Sequence, residues 1–291
     1  MHSNEDLQPT DHAKSPYTWW AGIALIAVGI LLFADQYLKT GWLPVAAAPV
    51  AGLVLLYRGF MDRKMGPVIP GILFTSLGIG GLLTISSLFN LTLAGKAGLL
   101  LAAFALGWYA ITGLGLILCR RVIWWPLIPG GVLGGLAVSL LASPLRLTDF
   151  VLYPLLGLGL AFLAWGLGAR LIGLIIPGSL LASIGPGVAL AWGDALANRN
   201  RLPVSVSLAQ TGVMLVCFAL GWALITVFSR FVTHKFIWWP LIPGGILAMT
   251  GWGLYIGGNP RNALNFISNT GSLGLILLGV YLLIWRSALH K

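Results

Sequence analysis

Between residues 18 and 287 the sequence is a succession of apolar runs, each about 20 residues long, broken by short polar turns. The runs cover 18–36, 42–58, 67–88, 97–119, 123–142, 151–169, 172–192, 207–229, 236–257 and 270–287. A run of this length and character crosses the hydrocarbon of a bilayer as a helix, because no backbone N–H or C=O can be left unpaired in lipid. Composition excludes a soluble alternative: 58% of the residues are hydrophobic and 8% charged. A water-soluble domain carries about 25% charged residues. The expected fold is therefore all-α, a polytopic integral membrane helical bundle of about ten transmembrane helices. Residues 1–17, with Glu5, Asp6, Asp11 and Lys14, are expected to be a disordered polar N-terminal tail, and 18–291 a single transmembrane domain. No basic stretch precedes the first run and no small-residue cleavage site follows it, so the N-terminus does not read as a secretory signal.

The chain also repeats itself. The nine residues Ile123-Trp124-Trp125-Pro126-Leu127-Ile128-Pro129-Gly130-Gly131 return unchanged at 237–245, an offset of 114 (237 − 123). Phe104-Ala105-Leu106-Gly107-Trp108 returns at the same offset as Phe218-Ala219-Leu220-Gly221-Trp222. Residues 95–142 and 209–256 thus align without a gap, as expected of an internal repeat. Related helix starts follow the other basic turns, at Gly66-Pro67-Val68-Ile69-Pro70-Gly71 and Leu174-Ile175-Ile176-Pro177-Gly178. The expected unit is a helical hairpin, present four times. Trp165, in Phe162-Leu163-Ala164-Trp165-Gly166, is expected to take the place of Trp108 and Trp222 in its own hairpin. The repeated block holds an even number of spans, so its copies share one orientation, unlike the inverted repeats of many transporters.

Charge in the turns sets orientation. Lys14, Arg58, Arg63, Lys64, Arg120, Arg121, Arg170, Arg230, Lys235, Arg286 and Lys291 fall on one side, eleven in all. Lys39, Lys96, Arg146, Arg199, Arg201 and Arg261, six, fall on the other. The excess of Lys and Arg marks the cytoplasmic side, which places both termini there. The formal net charge of +10 is distributed between apolar runs rather than gathered on a face, so no nucleic acid partner is expected.

The repeated motif reads as an interfacial anchor. Pro126 and Pro240 suit the first helical position, where a missing N–H leaves nothing unpaired, and Pro129 and Pro243 fall within the same first turn. Paired indoles at headgroup depth bury their rings and keep their N–H groups wet. Arg120, Arg121, Trp124, Trp125, Lys235, Trp238 and Trp239 are the candidate lipid-headgroup or interface residues. General anchoring is one reading, and a site for an anionic lipid is the sharper alternative. The 39 glycines, many inside the runs, read as surfaces for close helix packing, against another membrane protein or a second copy.

Chemistry-bearing residues are sparse. No Asp, Glu, Lys or His lies well inside a run; Asp35 and Arg170 sit at run ends. Ion and proton pathways keep such residues at mid-membrane. Cys119 and Cys217 do not occupy matching positions and suggest neither a disulfide nor a metal site. No cofactor is expected. Asn90-Leu91-Thr92 matches a glycosylation acceptor, with a turn as the plain alternative. His234 in a basic turn reads as a solvated interface residue.

The first two runs resemble a known family. Trp20-Ala21-Gly22-Ile23 through Gly29-Ile30-Leu31-Leu32-Phe33-Ala34-Asp35, then Gly41-Trp42-Leu43-Pro44 and Gly52-Leu53-Val54-Leu55-Leu56-Tyr57-Arg58, resemble the LiaF-type bacterial transmembrane region. The later Trp-Trp-Pro-Leu-Ile-Pro-Gly-Gly segments resemble those of multi-hairpin bacterial membrane proteins with no assigned role. The LiaF-type resemblance implies a link to cell-envelope stress signalling. Those proteins carry a soluble C-terminal domain that has no equivalent in this sequence, so no functional residue is carried over. The expected function is that of a non-catalytic multi-pass membrane protein, a structural or regulatory partner such as an accessory subunit. A channel or transporter for a small neutral or lipid-like solute is the alternative. A membrane enzyme using Asp149, Asp194 or His234 is the second alternative.

Overall fold

Apolar sequence in long runs leaves the backbone one economical way to satisfy its own hydrogen bonds, and the chain takes it throughout. In the computed structural model the described residues are 16–39, 41–86, 90–142, 145–193, 204–233 and 237–257, with Ser268 and Ser272. They form nine helices: α1 (Pro16–Leu38), α2 (Leu43–Asp62), α3 (Met65–Ile85), α4 (Leu93–Cys119), α5 (Leu127–Leu141), α6 (Asp149–Gly168), α7 (Ile172–Trp192), α8 (Val204–Thr233) and α9 (Leu241–Gly257). Six of these, α2, α3, α4, α6, α7 and α8, are long and apolar enough to cross a membrane, as a multi-pass membrane protein requires. The expected tenth run, 270–287, lies outside the described residues apart from Ser272; of the expected tail 1–17, residues 1–15 lie outside them, while Pro16 and Tyr17 belong to α1 and not to a disordered tail.

Runs 5 and 9 differ from expectation. Each was expected as a full-length span, but α5 is a helix of 15 residues and α9 one of 17. The cause is proline. The residue before a proline is pushed out of the helical region, so the helix cannot extend back through the tryptophans. Pro126 is the N-cap rather than the first helical residue, and α5 starts one position later. At 1.5 Å per residue α5 is about 22 Å long. Residues 122–124 before it belong to no helix, and α5 and α9 are shorter than the six helices long enough to span.

Packing runs along the chain. Each helix from α2 to α8 lies against the helices before and after it and α9 lies against α8, with a small extra contact between α6 and α8; the contact between α1 and α2 is light. The seams are antiparallel and lined by small residues. On the α5–α6 seam a Cβ at Gly131 would meet the Gly157 carbonyl, and one at Gly157 would meet that of Gly131. On the α8–α9 seam a Cβ at Gly251 would stand 2.6 Å from the Gly212 carbonyl. Ser139 Oγ donates across the α5–α6 turn to the Asp149 carbonyl at 2.8 Å. Without a hydrophobic driving force in lipid, such close approach is what holds helices together.

Two apolar clusters lie at equivalent heights. Val68, Ile72 and Ile111 form one, and Leu163, Ile175 and Val232 the other. Val68 and Ile175 are both fully buried and are 107 residues apart (175 − 68). The same offset relates further contacts. Gly59 lies against Val68 as Gly166 lies against Ile175, and Gly52 lies against the Gly71 carbonyl as Gly159 lies against that of Gly178. Helices α3 and α7 correspond end to end at this offset. Thus α2–α3 match α6–α7 at 107, while α4–α5 match α8–α9 at 114.

Candidate functional site

The turns alternate between two ends of the helix array. At one end lie Arg63, Lys64, Arg120, Arg121 and Arg170, all exposed. Arg63, Arg120 and Arg170 close their helices in the left-handed region, at φ 50°, 51° and 55°. A side chain there costs roughly 1–2 kcal/mol. At this position a cation also faces the negative end of the helix dipole.

The repeated motif sits at this same end, and its backbone is self-sufficient. Leu127 N donates to the Trp124 carbonyl at 3.0 Å, Ile128 N to that of Trp125 at 3.1 Å, and Gly130 N to that of Pro126 at 3.1 Å. Pro126 and Pro129 have no N–H to place. Every donor from 126 to 130 is therefore satisfied without a capping side chain, which explains the Pro-x-x-Pro spacing at a membrane helix start. The second copy repeats these bonds at Leu241, Ile242 and Gly244. Both Pro126 and Pro240 are fully buried.

The paired tryptophans part company. Trp125, though 45% exposed, lies against α4, where its ring meets Trp108 edge-to-face at 5.5 Å, and Trp108 in turn meets Phe104 at 6.1 Å. Trp239 meets Trp222 at 5.9 Å and Trp222 meets Phe218 at 6.4 Å, in the same T-shaped geometry. Such pairs contribute about 0.5–1.5 kcal/mol beyond area burial. Trp124 lies instead over Gly168 of α6. Trp238 is largely exposed. Trp124, Trp125 and Trp239 thus have protein partners, while Arg120, Arg121 and Trp238 face outward; Lys235 lies outside the described residues. The ring ladders of Trp108 and Trp222 have no counterpart at Trp165 among the described residues. Helix α6 corresponds to α2, not to α4 or α8.

Beneath each ladder are two polar atoms without a partner. The Nε1 of Trp108 and Oγ1 of Thr112 are buried and unbonded, and so are the Nε1 of Trp222 and Oγ1 of Thr226. Tryptophan and threonine four residues apart share one face of a helix. The indole only donates, while the hydroxyl does both, so each pair suits a single oxygen acceptor such as a water. It offers no nucleophile or base. Thr112 and Thr226 escape notice in the sequence, although they lie four residues after the repeated tryptophans at the common offset.

The remaining candidates are dispersed. Thr92 of the glycosylation-like triplet is the N-cap of α4, its Oγ1 accepting from Gly95 N at 3.2 Å. Asp149 opens α6, while Asp194 and His234 lie outside the described residues. Cys119 and Cys217 are free thiols. Among the described residues no group of three or more His, Cys, Asp or Glu could hold a metal. One apolar groove of about 410 Å³ opens between α3 and α4, lined by residues that include Thr75, Ser76, Ala103 and Gly107. Comparison of the chain with protein-family models, with curated proteins and with solved structures finds no match to any of the three.

Proposed function

We propose that this chain is a non-catalytic multi-pass protein of a bacterial cytoplasmic membrane, built from a duplicated four-helix unit, with both termini in the cytoplasm. It acts as a structural or regulatory partner within the bilayer, such as an accessory subunit of a membrane complex. The observation that carries the reading is the chemistry of the interior. The buried polar residues among those described are Ser139, Thr148, Ser179, Ser183, Thr226 and Ser229. Ser183 bonds back to the Leu180 carbonyl and Ser229 to that of Thr226, whereas Ser179 Oγ and Thr226 Oγ1 are buried without a partner. Small hydroxyls such as these cement helices rather than carry protons or ions. The outward Arg120, Arg121 and Trp238 fit contact with anionic headgroups at the basic end.

The test is a gentle purification of the tagged protein from its native membrane, with mass spectrometry of whatever accompanies it. A stoichiometric membrane-protein partner is the expected result. Purification alone, or only with itself, overturns the accessory role. The groove between α3 and α4 favours a second reading, a pathway for a small neutral or lipid-like solute, since its lining is apolar with two hydroxyls. Solute flux into liposomes holding the pure protein, abolished by Gly107→Leu, would establish that reading in place of the first.

A further inference from the structure

The groove between α3 and α4 belongs to one half of a duplicated molecule. Leu56 of α2, Ile72 and Ile79 of α3, and Ala103, Ala110 and Leu114 of α4 are among its lining residues. At the offset of 114 the three α4 residues become Cys217, Leu224 and Phe228 in α8, each of them larger. Phe228 packs on the cluster of Leu163, Ile175 and Val232. Leu163 is buried, while Leu56, its counterpart at the offset of 107, is only half-buried. One arrangement of helices thus carries filling side chains in its second copy and small ones in its first. The open seam is a property of the residues of α4, not of the helix geometry.

The groove has the length and chemistry of a seat for a hydrocarbon chain. It runs from Ile72 to Leu83 on α3 and from Ala103 to Leu114 on α4, eleven residues on each (83 − 72 = 114 − 103). At 1.5 Å per residue that is about 16 Å. The hydrocarbon of a bilayer is about 30 Å thick, so the groove is as deep as one leaflet. Thr75 Oγ1 donates to the Gly71 carbonyl at 2.7 Å and Ser76 Oγ to that of Leu73 at 3.1 Å, so both hydroxyl protons are spent inside α3. A polar solute would find no free side-chain donor in the wall. Leu114 stands six residues before Arg120 (120 − 114) and Ile72 eight after Lys64 (72 − 64), or about 9 and 12 Å along their helices. The near end of the groove is therefore within reach of the basic turns. Arg58, Arg63, Lys64, Arg120 and Arg121 are exposed there, and Asp62 is the one carboxylate at that end among the described residues. We propose that the groove seats one acyl chain of an anionic phospholipid whose phosphate lies among Arg63, Lys64, Arg120 and Arg121. The proposal rests on the reading of this chain as a membrane protein with its basic turns at headgroup depth.

The test is native mass spectrometry of the full chain in detergent, titrated with phosphatidylglycerol and, in parallel, with phosphatidylcholine of the same acyl chains. The expected result is one phosphatidylglycerol per chain, held about tenfold more tightly than phosphatidylcholine. Ala110→Leu with Leu114→Phe installs the residues that α8 carries at these positions and should abolish that binding. Ala110→Leu alone, at an exposed position that tolerates bulk, should weaken it. Arg120→Gln with Arg121→Gln should bring the two lipids toward equal affinity. Equal binding of the two lipids by the unaltered chain, or undiminished binding by both groove variants, overturns the proposal. A dimer of the unaltered chain that the double groove variant dissolves also overturns it, and names a second copy as the occupant. Recovery of the chain outside the membrane fraction, scored before any lipid is added, overturns the membrane reading and the proposal together.

Discussion

At the scale of single residues, the basic helix ends carry a definite strain. Arg120 closes α4 at φ 51°, a conformation that glycine adopts freely. Arg120→Gly should therefore raise stability by up to about 1 kcal/mol, read as a higher midpoint of thermal unfolding in detergent. A lowered midpoint would mean that the guanidinium gives the helix end more than the backbone loses. The orphaned indole makes a second case. Trp108→Phe keeps an aromatic ring against Phe104 and Trp125 and removes the unpaired N–H, so stability should stay level or rise. Trp108→Ala removes the ring and should cost about 3 kcal/mol. If Trp108→Phe costs as much as Trp108→Ala, the indole N–H has a partner of its own. The pairing of Trp124 with Trp125 is plain in the sequence, but which ring meets Trp108 and which lies over Gly168 depends on where α4 and α6 lie, and that is a tertiary fact.

At the scale of elements, the seams between helices are set by glycine. Gly157 and Gly131 face each other so closely that Gly157→Val drives a branched side chain into the neighbouring backbone. The expected loss is about 3 kcal/mol or more, seen as a collapse of the monodisperse peak in gel filtration. Val50→Gly, at the matching position of α2, should leave the protein well behaved, since Val50 is exposed. Helix positions were largely legible in the apolar runs: α7 starts and ends where its run does, at 172 and 192. Helices α5 and α9 were not, because hydropathy counts Trp124 and Trp125 as apolar whatever their backbone does, and proline decides the start. The correspondence of α2–α3 with α6–α7 was only partly visible, in the shared Ile-Pro-Gly. Its offset of 107 differs from 114, so no single alignment of the chain on itself contains both.

At the scale of the whole molecule, the proposed orientation is tested at the basic end. Single cysteines replacing Arg121 should react only with reagents that reach the cytoplasm, and those replacing Arg146 with impermeant reagents added outside. The reverse pattern would invert the molecule and sink the assignment of its termini. The packing of each helix on its chain neighbours has a consequence for how such a protein is made. A structure whose tertiary contacts are almost all local can settle in the order in which its helices leave the ribosome, each hairpin finding its seat on one already inserted. Cutting the chain between α5 and α6 would separate a segment holding α1–α5 from one holding α6–α9, the two meeting mainly along the α5–α6 glycine seam. The two fragments, produced together in one cell, should reassociate through that seam into a complex that purifies as one.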